Sequence, residues 1–320
     1  MYVGLVDVDG HKFPNLALMR ISAWHKAQGD HVEWWQGDLF YYDRVYMSKI
    51  FSSEYSHDVP DPINCGEVIK GGTGYCISLD ENGKEVFDKS KNKNLPDEVE
   101  RMFPDYSIYP QYNFAISMTS RGCPRGCQFC IVANKEGRCA HKVADVNQFW
   151  THETGKKVIK VLDPNIIACR ENEKRDLLNQ YVETRCEIEF NQGIDIRMIN
   201  ENDIKDLNRM KIKMLHFAWD NPDDDLEDRF RMFNELSRLK SHGRKMVYCL
   251  TNFEDCSVKD HIERALKRIY ILRSLNFDPF VMIYNKPSAP DEIKKLQRWC
   301  NNKIIFGKVK DFRDYSRKFG

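Results

Sequence analysis

The sequence has no long apolar run, no excess of either charge and no cysteine pattern of a secreted protein. No stretch approaches the roughly 20 apolar residues that a membrane-spanning helix needs. With 49 basic and 48 acidic side chains, the formal charge of +1 argues against a nucleic-acid footprint over the whole chain and leaves only a local basic patch. Eleven cysteines, an odd number at irregular spacing, do not indicate a disulfide framework. The first residues also lack the basic segment and the cleavage site of a secretion signal, so we expect a cytoplasmic protein.

The length of 320 residues is large for one ordinary domain and sufficient for two. A hydrophobic fraction of 42% beside 30% charged residues is typical of a globular protein with a large core. Residues 81–111 are rich in polar and charged side chains, and we predict a surface linker there that contains one short helix.

Residues 1–80 are predicted to form a small α/β domain. Residues 2–8 indicate a buried strand, and residues 15–26 a helix that Asn15 caps and Gly29 follows. Further strands are predicted at 31–35, 44–50 and 67–69. Strands that alternate with helices favour a parallel sheet with helical cover, of the Rossmann or flavodoxin type.

From residue 112 the alternation resumes and repeats six times. Strands are predicted at 114–118, 158–162, 188–190, 214–218, 245–250 and 280–284. Helices are predicted at 173–184, 201–210, 226–240, 258–275 and 291–300. A complete eight-stranded barrel needs more repeats than the chain can hold. We therefore predict a partial (β/α)6 TIM-like barrel over residues 112–310, followed by a basic tail at 311–320 that packs on its outside.

One loop is distinguished by its chemistry: Cys123, Cys127 and Cys130 follow a predicted strand at the spacing C-x3-C-x2-C. Three thiolates on one loop fit a compact metal centre, and Gly122 and Gly126 let the backbone approach it closely. A cubane iron–sulfur cluster normally takes four protein ligands, so three cysteines would leave one iron open to a small molecule. Structural zinc sites are closed by four ligands, usually as two C-x2-C-like pairs, and no second pair is present. The remaining alternative is a chance group of buried cysteines.

This motif resembles the signature of the radical S-adenosylmethionine (SAM) enzymes, in which a strand is followed by C-x3-C-x-aromatic-C. Phe129 occupies the aromatic position. The resemblance implies that Cys123, Cys127 and Cys130 hold a 4Fe–4S cluster, that the amino and carboxylate groups of SAM chelate the fourth iron, and that Phe129 lies near the adenine. It also implies a partial six-stranded barrel. Residues 131–138 are more loosely similar to the loop that follows the motif in methylthiotransferase-like members.

The resemblance implies a reaction as well. A one-electron donor such as a flavodoxin or a ferredoxin would reduce the cluster, and the electron would cleave SAM to methionine and a 5′-deoxyadenosyl radical. That radical would abstract hydrogen from a substrate, which the sequence leaves open as a small molecule, a peptide or RNA. We expect no membrane partner.

Polar side chains follow the predicted barrel strands, at the edge where ligands bind in parallel α/β proteins. SAM needs partners for an ammonium, a carboxylate and two ribose hydroxyls. Acids and amides suit the ammonium and the ribose, and an arginine suits the carboxylate. In addition to Phe129, we predict SAM contacts for six residues: Asp163, Asn165, Gln192, Asp195, Arg197 and Asp220. The Gly-Gly-Glu that the family usually carries after its second strand is absent.

These residues also have structural explanations. Asp163 would begin an Asp-Pro turn. Gln192, Asp195 and Arg197 alternate along an extended segment and would face one side together. Equally, Asp195 and Arg197 would form an ion pair that only fixes the loop. Asp220 begins an acidic run of the kind that precedes a helix.

The N-terminal domain resembles the cobalamin-binding-type domain of one radical SAM subgroup. The glycine-rich turn at 71–74 would cradle a phosphate or a corrin tail, or serve as a plain tight turn. The D-x-H-x-x-G ligand loop of cobalamin-dependent mutases is absent, because Asp9 and His11 have a different spacing. We therefore expect a degenerate domain without cobalamin. The alternatives are a cobalamin-dependent radical SAM methyltransferase and, from another class, a non-catalytic zinc-stabilised binding protein.

The other cysteines and the histidines give weaker signals. Cys139 lies nearest to the motif and would be an extra ligand or a reactive thiol. The remaining cysteines are expected to pack as small buried hydrophobes. The nine histidines form no metal-ligand pattern.

Overall fold

The computed structural model describes residues 1–81, 85–253 and 255–316 and divides into two compact units. The first unit comprises Met1–Ile116 and Asp145–Lys157, and the second comprises Ser117–Ala144 and the chain from Val158 onward. The domain boundaries that the sequence suggested at residues 80, 111 and 310 stay predictions. Residues 317–320 of the predicted tail lie outside the described residues.

The first unit contains a parallel sheet. Its strands are β1 (Tyr2–Asp7), β2 (His31–Trp34), β3 (Tyr42–Ser48) and β4 (Cys65–Gly71), in the spatial order β2-β1-β3-β4. Helix α1 (Leu16–Ala27) connects β1 to β2, and the Asn15 side chain accepts a hydrogen bond from the Leu18 N–H at 3.2 Å. The predicted small parallel α/β unit and its N-cap are confirmed.

Strand β1 is central in this sheet and is buried on both faces. Because successive strand residues point to opposite faces, Val3 and Leu5 pack against α1 while Val6 enters a second core on the other side. Burial on both faces explains why β1 is almost continuously apolar in the sequence.

The segment predicted as a linker packs into the first unit. It contains β6 (Glu85–Phe87), which pairs antiparallel with the preceding strand β5 (Ile77–Leu79), and helix α2 (Asp97–Glu100). Val99 of α2 joins the core cluster beneath α1. Arg20 of α1 also forms an ion pair with Glu100 at 2.6 Å. The segment therefore adds to the core of this unit.

The second unit is built on a parallel sheet with helical cover. Its strands are β7 (Ala115–Ser117), of which Ser117 belongs to this unit, β8 (Ser120–Arg121), β9 (His141–Lys142), β10 (Val158–Val161), β11 (Glu187–Ile194), β12 (Lys211–Ala218), β13 (Lys245–Thr251) and β14 (Asp278–Ile283). Its helices are α3 (Val132–Glu136), α4 (Glu171–Thr184), α5 (Glu201–Leu207), α6 (Glu227–Leu236), α7 (Val258–Ser274), α8 (Asp291–Asn301) and α9 (Lys303–Lys308).

Six of these strands form one sheet in the order β14-β13-β12-β11-β10-β7, and β10 to β14 pair in parallel. The spatial order follows the chain order, as a partial barrel requires, and the predicted α/β fold class is confirmed. Strands β8 and β9 form a separate antiparallel pair.

Helix α6 is shorter than its sequence pattern predicts. Apolar periodicity extends to residue 240, yet the helix ends at Leu236. The side chain of Asn208 donates to the Leu236 carbonyl at 3.0 Å and accepts from the Arg238 N–H at 2.7 Å. A tertiary cap from another segment therefore ends the helix, which local periodicity does not reveal.

The two faces of the large sheet differ in polarity. The face under the helices is apolar and buried, with Phe217 of β12 packed on Phe230 and Phe233 of α6. The opposite face carries polar and aromatic side chains from successive strands: Lys160, Glu189, His216, Tyr248 and Phe280. We call these five residues the polar face.

The last described residues pack on the helical layer. Phe312 and Tyr315 join a buried cluster around Trp299 of α8. None of the helices in the described ranges combines the length and the apolar character needed to cross a bilayer.

Buried Arg268 of α7 fixes the ends of two neighbouring strands. Its guanidinium donates to the carbonyl oxygens of Trp219 at 2.6 Å, Asp220 at 2.9 Å and Leu250 at 2.8 Å. The residue is 2% exposed. Three strand-end carbonyls thus depend on one charged side chain.

Replacement of Arg268 by Met should lower the free energy of unfolding by about 3 kcal/mol, because three buried carbonyl groups lose their donor. Urea unfolding followed by circular dichroism measures the change. Exposed Lys267 on the same helix provides the control, and Lys267→Met should unfold like the wild type. Equal midpoints for the two variants would contradict the assignment.

Candidate functional site

The cysteine loop starts from a rigid base. It follows β8, and the N–H of Cys123 donates to the Gly137 carbonyl at 3.1 Å. Gly122 has a φ of +80°, and a Cβ atom there would lie 2.2 Å from the carbonyl oxygen of Cys139. Only glycine fits this position, because any side chain would collide with the backbone.

A buried carboxylate connects this base to the end of β10. Asp163 accepts hydrogen bonds from the Thr119 N–H at 2.8 Å, the Thr119 hydroxyl at 2.7 Å and the Ser120 hydroxyl at 2.7 Å. Burial raises the pKa of Asp163 to about 6, although these hydrogen bonds act in the opposite direction. The carboxylate is therefore ionised at neutral pH and holds the residues that precede the loop.

The loop lies against the carboxyl ends of several strands. Asn165, after β10, donates to the Cys123 sulfur at 3.5 Å. Arg125 lies 3.8 Å from the carboxylate of Asp195, after β11. The ring of Phe129 packs on the ring of Phe253, which follows β13, with their centroids 5.3 Å apart. The loop therefore lies at the edge of the sheet where ligands bind in this class of fold.

The Cys130 thiol lies near the other two cysteines of the loop and is affected by their charge. Desolvation raises the pKa of the Cys130 thiol, and the neighbouring Cys127, Cys123 and Asp220 raise it further. Within the described ranges, no three His, Cys, Asp or Glu side chains converge as the ligands of a single metal ion do. A zinc site requires such convergence, whereas cluster cysteines each bind a different iron. A donor set of three thiols fits an iron–sulfur cluster.

Several buried acceptors lie at this edge of the sheet. In the described part of the chain, three buried oxygen atoms at the strand ends have no hydrogen-bond partner: Asn165 Oδ1, Asp195 Oδ2 and Thr251 Oγ1. A buried polar group without a partner costs about 1–3 kcal/mol. A ligand that carries hydrogen-bond donors would recover this cost, and the ammonium and ribose hydroxyls of SAM are such donors.

The residues predicted on and after β11 do not share one side. Gln192 is exposed within the strand, whereas Asp195 is buried beyond its end. The register between β11 and β12 is irregular from Phe190 to Ile194, which breaks the expected alternation. The alternative ion pair is present, since Arg197 Nε donates to Asp195 Oδ1 at 2.6 Å.

Asp220 lies at the end of β12 and does not cap a helix, because α6 begins only at Glu227. Burial raises the pKa of Asp220 to about 6, while Arg268 lowers it. Direct contacts of Phe129, Asp163, Asn165, Gln192, Asp195, Arg197 and Asp220 with SAM stay predictions. The three-cysteine ligand set also stays a prediction.

Sequence reasoning missed several residues at this edge and on the polar face. Phe253 follows a strand that was correctly placed, so its position at the edge could have been inferred. His216 and Tyr248 lie inside strands. Successive side chains of a strand alternate between the two faces of the sheet, so the residue types alone do not show which face these two occupy.

The glycine-rich turn of the first unit is a close backbone contact. Cβ atoms at Gly72 and Gly74 would lie 2.2 Å from the Lys49 carbonyl oxygen and 2.1 Å from that of Phe51. The His11 ring packs on Trp34 at 4.2 Å and on Tyr109 at 5.8 Å. These contacts explain the glycines without a bound phosphate and give His11 a packing role.

No protein-family model matches the chain, and no curated protein matches it by sequence. Among solved structures, it is similar to the radical S-adenosylmethionine methyltransferase TsrM from Kitasatospora setae, with cobalamin and a [4Fe-4S] cluster bound. The TM-score is 0.59 and the identity 11%, over 88% of this chain and 74% of that one. A second similar structure is the cobalamin-dependent S-adenosylmethionine radical enzyme OxsB with aqua-cobalamin bound. Its TM-score is 0.41 and its identity 13%, over 88% of this chain and 49% of that one. The likeness to TsrM shows that this chain and TsrM share a fold.

Replacement of Asp163 by Ala should cost about 3 kcal/mol of unfolding free energy, because three buried donors lose their acceptor. It should also lower the iron content after anaerobic reconstitution, because the base of the loop loosens. Exposed Asp225 provides the matched control as Asp225→Ala. If both variants unfold at the same urea concentration and take up equal iron, Asp163 does not anchor the loop.

Proposed function

We propose that the chain is a radical SAM enzyme in which Cys123, Cys127 and Cys130 hold a 4Fe–4S cluster and SAM binds its open iron. The observation that carries this proposal is the position of the three-cysteine loop at a strand-end edge with unsatisfied buried acceptors. The fold shared with TsrM supports the proposal.

The side chains at this edge match the functional groups of SAM. Asn165 and Asp195 offer acceptors to the ammonium, and Thr251 offers one to a ribose hydroxyl. Arg125 is partly exposed and only 3.8 Å from Asp195, so its guanidinium has donors available for the SAM carboxylate. Arg197 already donates to Asp195 and Asp224, which makes it a positioning residue.

The bound cluster would supply the electron that cleaves the C5′–S bond of SAM and so yields a 5′-deoxyadenosyl radical. The chain supplies the surroundings. Phe129, Phe253 and Tyr284 pack edge to face across the ends of β13 and β14 and shield that side of the loop from water. The hydrogen donor remains open among small molecules, peptides and RNA, and the electron donor would be a flavodoxin or a ferredoxin.

A cobalamin-dependent methyltransferase is the second candidate, which the likeness to TsrM favours. The first unit lacks a histidine at the ligand spacing, so it fits only a corrinoid held without such a ligand. Exposed apolar side chains after β1 and β3 would suit the flat face of a macrocycle: Phe13, Ile50, Phe51 and Tyr55 are 38–58% exposed. The zinc-stabilised alternative lacks a converging ligand set in the described residues.

Alanine substitution at Cys123, Cys127 or Cys130 should abolish both cluster binding and SAM cleavage, because each removes one of three ligands. Iron and acid-labile sulfide analysis after anaerobic reconstitution, with a 5′-deoxyadenosine assay, measures both. Cys139→Ala should keep the cluster and thereby separate a three-ligand from a four-ligand site. Full SAM cleavage by any of the three motif variants would overturn the proposal, and zinc without sulfide would favour the binding protein.

The second candidate predicts that the full chain retains a corrinoid. After incubation with hydroxocobalamin and gel filtration, visible absorbance should show about one corrinoid per chain, and Phe51→Glu should reduce it by placing a charge on the apolar surface. Lys12→Glu, an exposed change near the same loop, is the control. A chain that keeps its cluster and emerges free of corrinoid would eliminate this candidate and leave the first proposal intact.

A further inference from the structure

The polar face contains a histidine whose two nitrogens have different surroundings. His216 of β12 is 8% exposed, and its Nδ1 lies 2.7 Å from the carbonyl oxygen of Phe190. A carbonyl oxygen only accepts hydrogen bonds, so Nδ1 carries the proton in the neutral ring. The lone pair is then on Nε2, and no hydrogen bond to Nε2 is present among the described residues.

Three titratable groups from neighbouring strands face this ring: Glu189 on β11, Lys160 on β10 and Tyr248 on β13. Burial lowers the pKa of His216, Glu189 raises it and Lys160 lowers it. Lys160 and Glu189 pair with each other at 3.3 Å. The imidazole is therefore neutral at neutral pH and lies near a carboxylate that would stabilise its protonated form.

Packing holds the ring in place. Tyr248 stacks on it with a centroid distance of 5.4 Å and an interplanar angle of 8°. Phe280 packs edge to face on Tyr248, with the ring centroids 5.9 Å apart. The three rings come from three adjacent strands and form an aromatic surface on the polar face. A planar group would lie on such a surface.

A second acceptor lies close to this contact in the chain. Asn191 directly follows Phe190, whose carbonyl oxygen accepts the hydrogen bond from His216 Nδ1. Its Oδ1 is buried without a partner. Two unsatisfied acceptors beside an aromatic surface suit a planar group that carries N–H or O–H donors.

We propose that His216 is a substrate-binding base of the enzyme, whose Nε2 accepts a hydrogen bond and then a proton from an N–H or O–H group of a planar substrate. This proposal rests on the proposed function, because it places the substrate of that enzyme on the polar face. In the step, the X–H bond breaks, its electron pair stays on X and the proton passes to Nε2. Glu189 stabilises the resulting imidazolium, and the proton later leaves to solvent.

The first test determines the tautomer and the proton affinity in the intact chain. Nitrogen-15 spectra of histidine-labelled protein, assigned by comparison with His216→Gln, should show a neutral ring protonated on Nδ1. Its titration midpoint should lie below the value of about 6.5 for a free imidazole. A neutral ring protonated on Nε2 would overturn the proposal, because no lone pair would then face the substrate.

The second test asks whether Nε2 is accessible. Diethyl pyrocarbonate modifies neutral imidazole nitrogens, and mass spectrometry locates the product. Only the neutral ring reacts with the reagent, so a free imidazole with a pKa of about 6.5 is modified about one tenth as fast at pH 5.5 as at pH 7.5. His216 should keep a larger fraction of its rate, because burial lowers its pKa, with N-acetylhistidine as the reference. An unmodified His216 in the folded chain would contradict the proposal.

The third test separates this proposal from the proposed function. His216→Gln and the control His242→Gln, an exposed histidine, are reconstituted and analysed for iron and acid-labile sulfide, and the wild type is assayed for SAM cleavage without substrate. Both variants should bind as much iron and sulfide as the wild type. Loss of the cluster in His216→Gln alone would mean that His216 is structural and would refute the proposal. Absence of SAM cleavage in the wild type would instead refute the proposed function, which the tautomer and accessibility measurements do not depend on.

Discussion

The carboxylate of Asp163 holds the residues before the cysteine loop against the end of β10. Its three hydrogen bonds come from Thr119 and Ser120, which precede Gly122 by three and two residues. Gly122 then turns with a positive φ in a space that no side chain can share with the Cys139 carbonyl. The direction of the loop, and with it the position of the three sulfurs, depends on this buried charge and this one glycine.

The rest of the unit places polar groups around that loop in two ways. Alternation along the strands sends apolar side chains to the helical face and polar ones to the opposite face. The strand ends are set separately, and the clearest case is Arg268, which bonds three carbonyl oxygens there. Oxygens that remain unsatisfied at this edge reduce stability, which is expected where a protein is arranged for a ligand.

Much of this arrangement was predictable from the sequence, and the exceptions have physical causes. The cysteine spacing and the apolar runs gave the motif, the strands and the fold class, because both signals are local. Tertiary contacts decided the rest: Asn208 ends α6 early, and the irregular register of β11 separates Gln192 from Asp195. His216 escaped notice because a histidine inside a strand has no distinguishing pattern. The tautomer of its ring depends on the Phe190 carbonyl oxygen of the neighbouring strand, which the sequence does not reveal.

The absence of the usual Gly-Gly-Glu after the second strand does not leave an ammonium without partners at this edge. An ammonium needs acceptors, and it does not matter whether they come from one strand or from several. Here Asn165 follows β10 and Asp195 follows β11, and each keeps one buried oxygen without a hydrogen-bond partner. Side chains from two strands can therefore replace a motif carried on one. The fold shared with TsrM at only 11% identity is compatible with such a redistribution, because a fold does not fix the residues at its sites.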